Sequence, residues 1–135
     1  MIRENILKVQ EEITAVCRRC GRNPQEISLV AITKTAPVTA ILEAVMNGIQ
    51  DIGENRIQEA EEKYSGISGV RRHLVGHLQT NKVKIAVKLF DLIHSVDSLR
   101  VAEEIDTQAA KIGKVQDILI EINVSQEASK FGLKP

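Results

Sequence analysis

Three observations predict an α/β fold built on parallel strands. Strand and helix patterns alternate without a break, the first strand leaves the core on a lysine rather than a glycine turn, and polar residues stand at the C-terminal end of each strand. The fold expected is a parallel (β/α) barrel of the TIM type, incomplete in this chain, with about five strands where a full barrel has eight. The chain has 135 residues, 43% of them apolar and 27% charged, which suits one compact domain and not a disordered segment.

The elements follow in order. In "MIRENILKVQEE" and beyond, Ile2, Ile6, Val9, Ile13, Cys17 and Cys20 recur at three- and four-residue steps, the apolar stripe of an opening helix. Both thiols of "CRRC" fall on that stripe. No second CxxC or histidine pair accompanies them, so they read as buried core cysteines rather than a redox or zinc half-site. Gly21 suits the helix end and Pro24 blocks its continuation. "ISLVAIT" then reads as a strand buried on both faces. From Pro37 a helix carries Val38, Ile41, Leu42, Val45 and Ile49 on one face and ends near Gly48.

The remaining pattern repeats that order. "IQDIG" is a strand, followed by a helix from about Asn55 to Tyr64, and "RHLVG" is a third strand. A lysine-rich helix runs through "NKVKIAVKLF", "LIHSV" is a fourth strand, and a helix from about Ser98 to Ile112 leads to a fifth strand, "QDILIEINV". Repeated strand-helix units imply right-handed crossovers between parallel strands, in either an open doubly wound sheet or a barrel. The doubly wound fold usually carries a glycine-rich phosphate turn after its first strand. Here that turn is Lys-Thr-Ala-Pro. Barrels place chemistry at strand C-terminal ends, and those ends carry Lys34, Glu54 with Asn55, His77, Ser95 with Asp97, and Asn123 with Ser125. The barrel is favoured.

Composition excludes several functions. Basic and acidic residues number 18 each, and the aromatics are two Phe, one Tyr and no Trp, so neither charge nor base stacking supports nucleic-acid binding. No apolar run approaches the roughly 20 residues of a membrane span and the N-terminus has no signal-peptide core, which makes a soluble cytoplasmic protein the expectation. His73 and His77 are four apart, but "HLVG" reads as strand with His77 just past its end, so the two rings need not converge and no metal site is expected.

Lys34 carries the sharpest chemical suggestion. A lysine that forms an imine with an aldehyde must present a neutral amine, so a partly desolvated position is useful, and a rigid strand end fixes the nitrogen. A lysine at a strand end also commonly snorkels to solvent without any function. Around it, "AITKTAPV", "DIGENRIQEA", "HLVGHLQTNKVK", "LIHSVDS" and "INVSQEASKFG", in this order and spacing, resemble the YggS/PROSC family of pyridoxal 5'-phosphate (PLP) homeostasis proteins, which share the alanine racemase N-terminal barrel. The resemblance covers essentially the whole chain. It implies that residues 1–135 are the N-terminal part of a single PLP-binding (β/α)8 barrel domain, and that the protein holds, buffers or delivers PLP without established turnover. It also implies that Lys34 is the Schiff-base lysine, with PLP and PLP-dependent client enzymes as partners.

Other residues are weighed beside it. Asn55 suits either a helix cap or the cofactor's ring and 3-hydroxyl, Glu54 suits a helix N-terminus without any site, and His77 lies on the cofactor side of strand three. Ser95 and Lys130 are secondary candidates. Lys130 falls where the family has a lysine, and a plain surface role suits it slightly better. Arg72 and Leu74 depart from family aromatics, which affects packing only. The phosphate-gripping loops of the family lie beyond strand five, so no phosphate ligands are assigned. Two alternatives stand beside the carrier. One is a PLP-dependent racemase, weakened because Tyr64 lies late in a helix. The other is a half-barrel that works only through self-association or with a complementary chain, since five parallel strands leave an open edge.

Overall fold

The computed structural model describes residues 1–135. Helix α1 (Ile2–Arg19) precedes strand β1 (Val30–Ile32). Helix α2 (Val38–Met46), strand β2 (Asp51–Glu54), helix α3 (Ile57–Tyr64) and strand β3 (Arg71–Leu74) follow. Helix α4 (Val83–Leu89), strand β4 (Leu92–Val96), helix α5 (Leu99–Lys111) and strand β5 (Asp117–Ile120) complete the order, with short 3-10 turns at Pro24–Glu26 and Thr80–Lys82. No helix is long and apolar enough to cross a membrane.

All four strand pairings are parallel and the sheet runs β1-β2-β3-β4-β5. That order settles the choice of architecture. A doubly wound sheet reverses direction at a switch point, whereas each strand here lies beside its predecessor, as in a barrel wall. Helices α1 and α2, α3 and α4, and α4 and α5 pack as neighbours. The core lies between them and one sheet face, where Ile52, Leu74 and Ile93 meet Ile41, Ala60, Val83 and Val87. Phe90 is fully buried and meets Tyr64 edge-on, with ring centroids 5.8 Å apart. The other face carries Val30, Ile32, Val75 and, beneath them, Gly53, where a Cβ would lie 2.8 Å from the Ile32 side chain.

Local signals act as the residue types require. Pro37 stands at the N-cap position of α2 without a side-chain bond, Gly48 adopts φ +95° just past the helix end, and the Ser98 side chain accepts from the Val101 N–H at the start of α5. Three expectations need correction. Strand β1 is only partly buried, with Ile32 47% exposed, because it forms one edge of the sheet and has a neighbour on one side only. Strand β5, the other edge, is exposed along its whole length and ends at Ile120, with an isolated bridge between Ile122 and Leu133 beyond. Cys17 is buried but Cys20 is exposed. Helix α1 ends at Arg19, so Cys20 is its C-cap and turns off the stripe, its thiol donating to the Cys17 carbonyl.

Candidate functional site

The parallel register brings the strand ends to one edge. Thr33 N–H donates to the Gly53 carbonyl, and Val75 N–H donates to that of Glu54, so Lys34, Asn55 and His77 leave three adjacent strands together. Lys34 is exposed, and its ammonium enters no hydrogen bond or ion pair, while its carbonyl accepts from the Thr35 hydroxyl. It is therefore not partly desolvated as expected, since it stands on the edge strand. Asn55 is exposed too and does not cap α3. The N-cap is Arg56, one residue later, and no side chain bonds there. The backbone of Asn55 is instead in close contact with Gly76, whose missing Cβ would lie 2.0 Å from the Asn55 oxygen.

His77 joins three loops. Its Nδ1 lies 3.3 Å from Asp97 Oδ2 beyond β4, and its ring stacks on Phe131 from the loop after β5, with centroids 3.6 Å apart and planes 10° from parallel. That loop folds on itself, the Asn123 side chain donating to the Glu127 carbonyl. Lys130 is exposed and paired with Glu127 at 2.8 Å. The hydrogen bonds from Lys130 and Ser125 hold the Glu127 carboxyl below its usual range. Ser95 is buried within the irregular stretch of β4, and its hydroxyl has no hydrogen-bond partner.

Two polar clusters were not foreseen. The first lies under Lys34. Glu54, fully buried, accepts from the Thr33 hydroxyl at 2.7 Å and from Lys63 Nζ at 2.8 Å. Burial pulls the Lys63 ammonium down in pKa, but the hydrogen bonds and charges of Glu54 and Glu59 outweigh it, and the net shift is upward. Lys63 thus stays charged and is no competitor for an aldehyde. Its four-residue spacing from Glu59 was the one visible signal.

The second cluster lies on the open sheet face. His73 Nε2 is 2.8 Å from Asp51 Oδ1, and His73 Nδ1 is 2.9 Å from His94 Nε2. The Asp51 carboxylate accepts from His73 Nε2–H, and His73 Nδ1 and His94 Nε2 share one hydrogen bond between the two rings. The rings of His73 and His77 do not converge, and no group of three potential metal ligands exists. Burial lowers the His94 pKa below 6.5, and the charges of His73 and Arg71 add to this. The sign is fixed by linkage. A base with a depressed folded pKa binds protons more readily unfolded, so its contribution is intact above pH 6.5 and is lost as pH falls toward the folded value. Urea midpoints are expected to fall between pH 7.5 and the acid side of 6.5, with a shallower fall in His94→Asn. An equally steep fall in that variant would refute the assignment.

A single parallel sheet in sequential order, with its polar residues gathered at the strand C-terminal ends, defines a barrel-type α/β site. The family model described as alanine racemase, N-terminal domain, matches residues 5–135. The chain belongs to that family. It is 38% identical over 138 residues to the pyridoxal phosphate homeostasis protein of Escherichia coli and 40% identical over 134 residues to that of Aquifex aeolicus. Each match covers 98% of this chain and 59% of the relative. The chain therefore spans somewhat over half the length of the curated relatives it matches. Among solved structures, PipY of Synechococcus elongatus with PLP bound superposes with a TM-score of 0.74 at 36% identity, covering 88% of this chain and 57% of PipY. A protein from Bifidobacterium adolescentis superposes with a TM-score of 0.90 at 33% identity, covering 99% of this chain and 59% of that protein.

Proposed function

We propose that this chain is the PLP-binding, N-terminal part of a pyridoxal phosphate homeostasis protein, and that it holds PLP as a Schiff base on Lys34. The observation that carries this is an unpaired, exposed lysine at the end of β1 in a chain 36% identical to PipY, which binds PLP. The residues present fit the aldehyde end of the cofactor. The Lys34 amine adds to the aldehyde carbon and one water leaves. Asn55 and His77 leave the adjacent strands and serve the ring side. PLP would supply an electrophilic aldehyde and an electron-withdrawing ring. The stack of His77 on Phe131 and the Lys130–Glu127 pair place a charged loop beside the same edge, which suits Lys130 to guiding the anionic cofactor.

The role is holding and delivering PLP to client enzymes, not turnover. A racemase needs a proton donor and acceptor on opposite faces of the ring. The sole tyrosine, Tyr64, is buried against Phe90, and burial together with the Glu54 charge drives its pKa upward, so it supports no such role. Free Cys17 and Cys20 suit a reducing compartment, in keeping with a cytoplasmic protein. A second reading rests on the open face. Ile32, Ile120 and Ile122 are about half exposed at or near both sheet edges, which favours completion of the barrel by a further segment or chain.

The test is borohydride reduction of the chain with added PLP, followed by peptide mass analysis beside Lys34→Ala. The expected result is a pyridoxyl adduct confined to Lys34 and lost in the variant. Adducts scattered over surface lysines, or none, would reject Lys34 as a site formed by this chain alone.

A further inference from the structure

Lys34 is held by a buried polar network that no cofactor contact requires. Lys63 Nζ, 14% exposed at the side chain, donates to three acceptors: the Thr33 carbonyl at 2.9 Å, Glu54 Oε1 at 2.8 Å and Glu59 Oε2 at 3.3 Å. Three donors meet three acceptors, so the ammonium is fully satisfied. Thr33 is fixed a second time through its hydroxyl, whose single O–H donates to Glu54 Oε1 at 2.7 Å with the Gly53 carbonyl as a longer, shared acceptor at 3.2 Å. On the other side of Lys34, the Thr35 N–H donates to Glu59 Oε2 at 3.4 Å, and the Thr35 hydroxyl donates back to the Lys34 carbonyl.

Thr35 adopts φ +61°. A β-branched residue pays for the left-handed region, and such strain persists only where surrounding contacts over-determine it. Here the contacts on both sides of Lys34 come from two carboxylates and one ammonium on β2 and α3. A buried ion pair is seldom the most stable choice at its position, and geometric specificity is the better reason to keep one.

We propose that Glu54, Glu59 and Lys63 are positioning residues that lock the Thr33–Lys34–Thr35 turn and thereby fix the backbone from which Lys34 reaches its aldehyde. The inference rests on the reading of Lys34 as the PLP lysine. It adds a device that acts through the turn, with no contact to the cofactor. The network also sorts the two neighbouring lysines chemically. Lys63 is saturated with acceptors, while Lys34 has none.

Three variants test it without depending on one fold outcome. Glu59→Ala removes the acceptor of the Thr35 N–H at a partly exposed position, and Glu59→Gln keeps an acceptor there without the charge. The pair Glu54→Gln with Lys63→Met removes both buried charges together. Each is checked by circular dichroism, then read two ways: by nitrogen-15 order parameters at residues 33–35, and by the rate of borohydride-trapped adduct formation at Lys34 with PLP. In the unaltered chain the turn is expected to be rigid. In Glu59→Ala and in the double variant, order at Lys34 and Thr35 falls below about 0.6, and adduct formation at Lys34 slows about tenfold as misplacement costs rate. Glu59→Gln restores both. Unchanged order in folded variants would overturn the positioning role. Lost order with an unchanged Lys34 rate would overturn its bearing on Lys34. No Lys34 adduct in the unaltered chain, with order lost in the variants, would refute the PLP reading and uphold the lock on the turn.

Discussion

Lys63→Ala is expected to destabilise the chain by about 3–5 kcal/mol, the usual cost of leaving one buried partner of an ion pair uncompensated. Glu54 has no exposed surface, and Lys63 is its only cationic partner. Its second oxygen, Oε2, has no hydrogen-bond partner at all, so the carboxylate has no reserve when Oε1 loses Lys63. Thr33 then remains as its one donor, and a neutral hydroxyl does not replace an ammonium. Against total stabilities of about 5–15 kcal/mol this is a large fraction, a drop of roughly 10–18 °C in melting temperature for a chain of this size. Two comparisons isolate the cause. Lys130→Ala breaks an exposed pair and is expected to leave the midpoint unchanged. Adding Glu54→Gln to Lys63→Met is expected to recover most of the loss, because the uncompensated charge is gone. Urea denaturation of the four proteins side by side decides it. If Lys63→Ala unfolded at the same midpoint as Lys130→Ala, the buried pair would have no energetic weight.

The strand-helix order was legible because each parallel strand and each amphipathic helix carries its own period. The strand "LIHSV" matches β4 residue for residue, and the helices begin within a few residues of their expected starts. Burial was less legible at the ends of the sheet. "ISLVAIT" has the apolar density of a strand covered on both sides, but density is a property of the segment and exposure a property of its neighbours. β1 has a single neighbouring strand, and the residues flanking its three hydrogen-bonded positions fall outside the ladder. The same holds for "QDILIEINV", where the regular strand stops at Ile120.

The candidate site divides along a similar line. Lys34, Asn55 and His77 were identifiable because strand ends and motif order are sequence properties, and the register places them on one edge. The contacts that hold them were not. Lys63 reaches Thr33 across 30 residues and Glu54 across nine, and His77 meets Phe131 across four intervening helices and strands, α4, β4, α5 and β5. Asp51, His73 and His94 come together only because β2, β3 and β4 are adjacent and in register. Glu54 shows the limit well. An acid at the mouth of a helix suggested the helix dipole, yet its position on β2 turns it toward α3 and makes it a buried partner for Lys63.

Gly76→Ala is expected to be the most disruptive single-methyl change near the site. A Cβ at Gly76 would lie 2.0 Å from the Asn55 oxygen, 2.8 Å from its carbonyl carbon and 2.9 Å from its Cα. All three atoms are backbone, so no side-chain rotation relieves the overlap. Either the turn from β2 into α3 withdraws, moving Asn55, or the turn after β3 withdraws, moving His77. Each route separates two residues of the proposed cofactor edge and strains the Val75 to Glu54 hydrogen bond beside them. Overpacking of this kind costs about 1–3 kcal/mol and more where backbone must move, so about 3 kcal/mol is expected here. Gly66→Ala is the matched control. The nearest atom to its added Cβ is Val38 Cγ1 at 3.9 Å, an ordinary contact, and its midpoint is expected to stay within about 0.5 kcal/mol of the unaltered chain. The same pair of variants separates stability from site geometry. At a temperature where both are folded, Gly76→Ala is expected to trap less PLP on Lys34 than Gly66→Ala, because Asn55 and His77 no longer stand in register with Lys34. Equal midpoints for the two would show that the turns flex apart freely, and equal trapping would show that Asn55 and His77 add nothing to the hold on the cofactor.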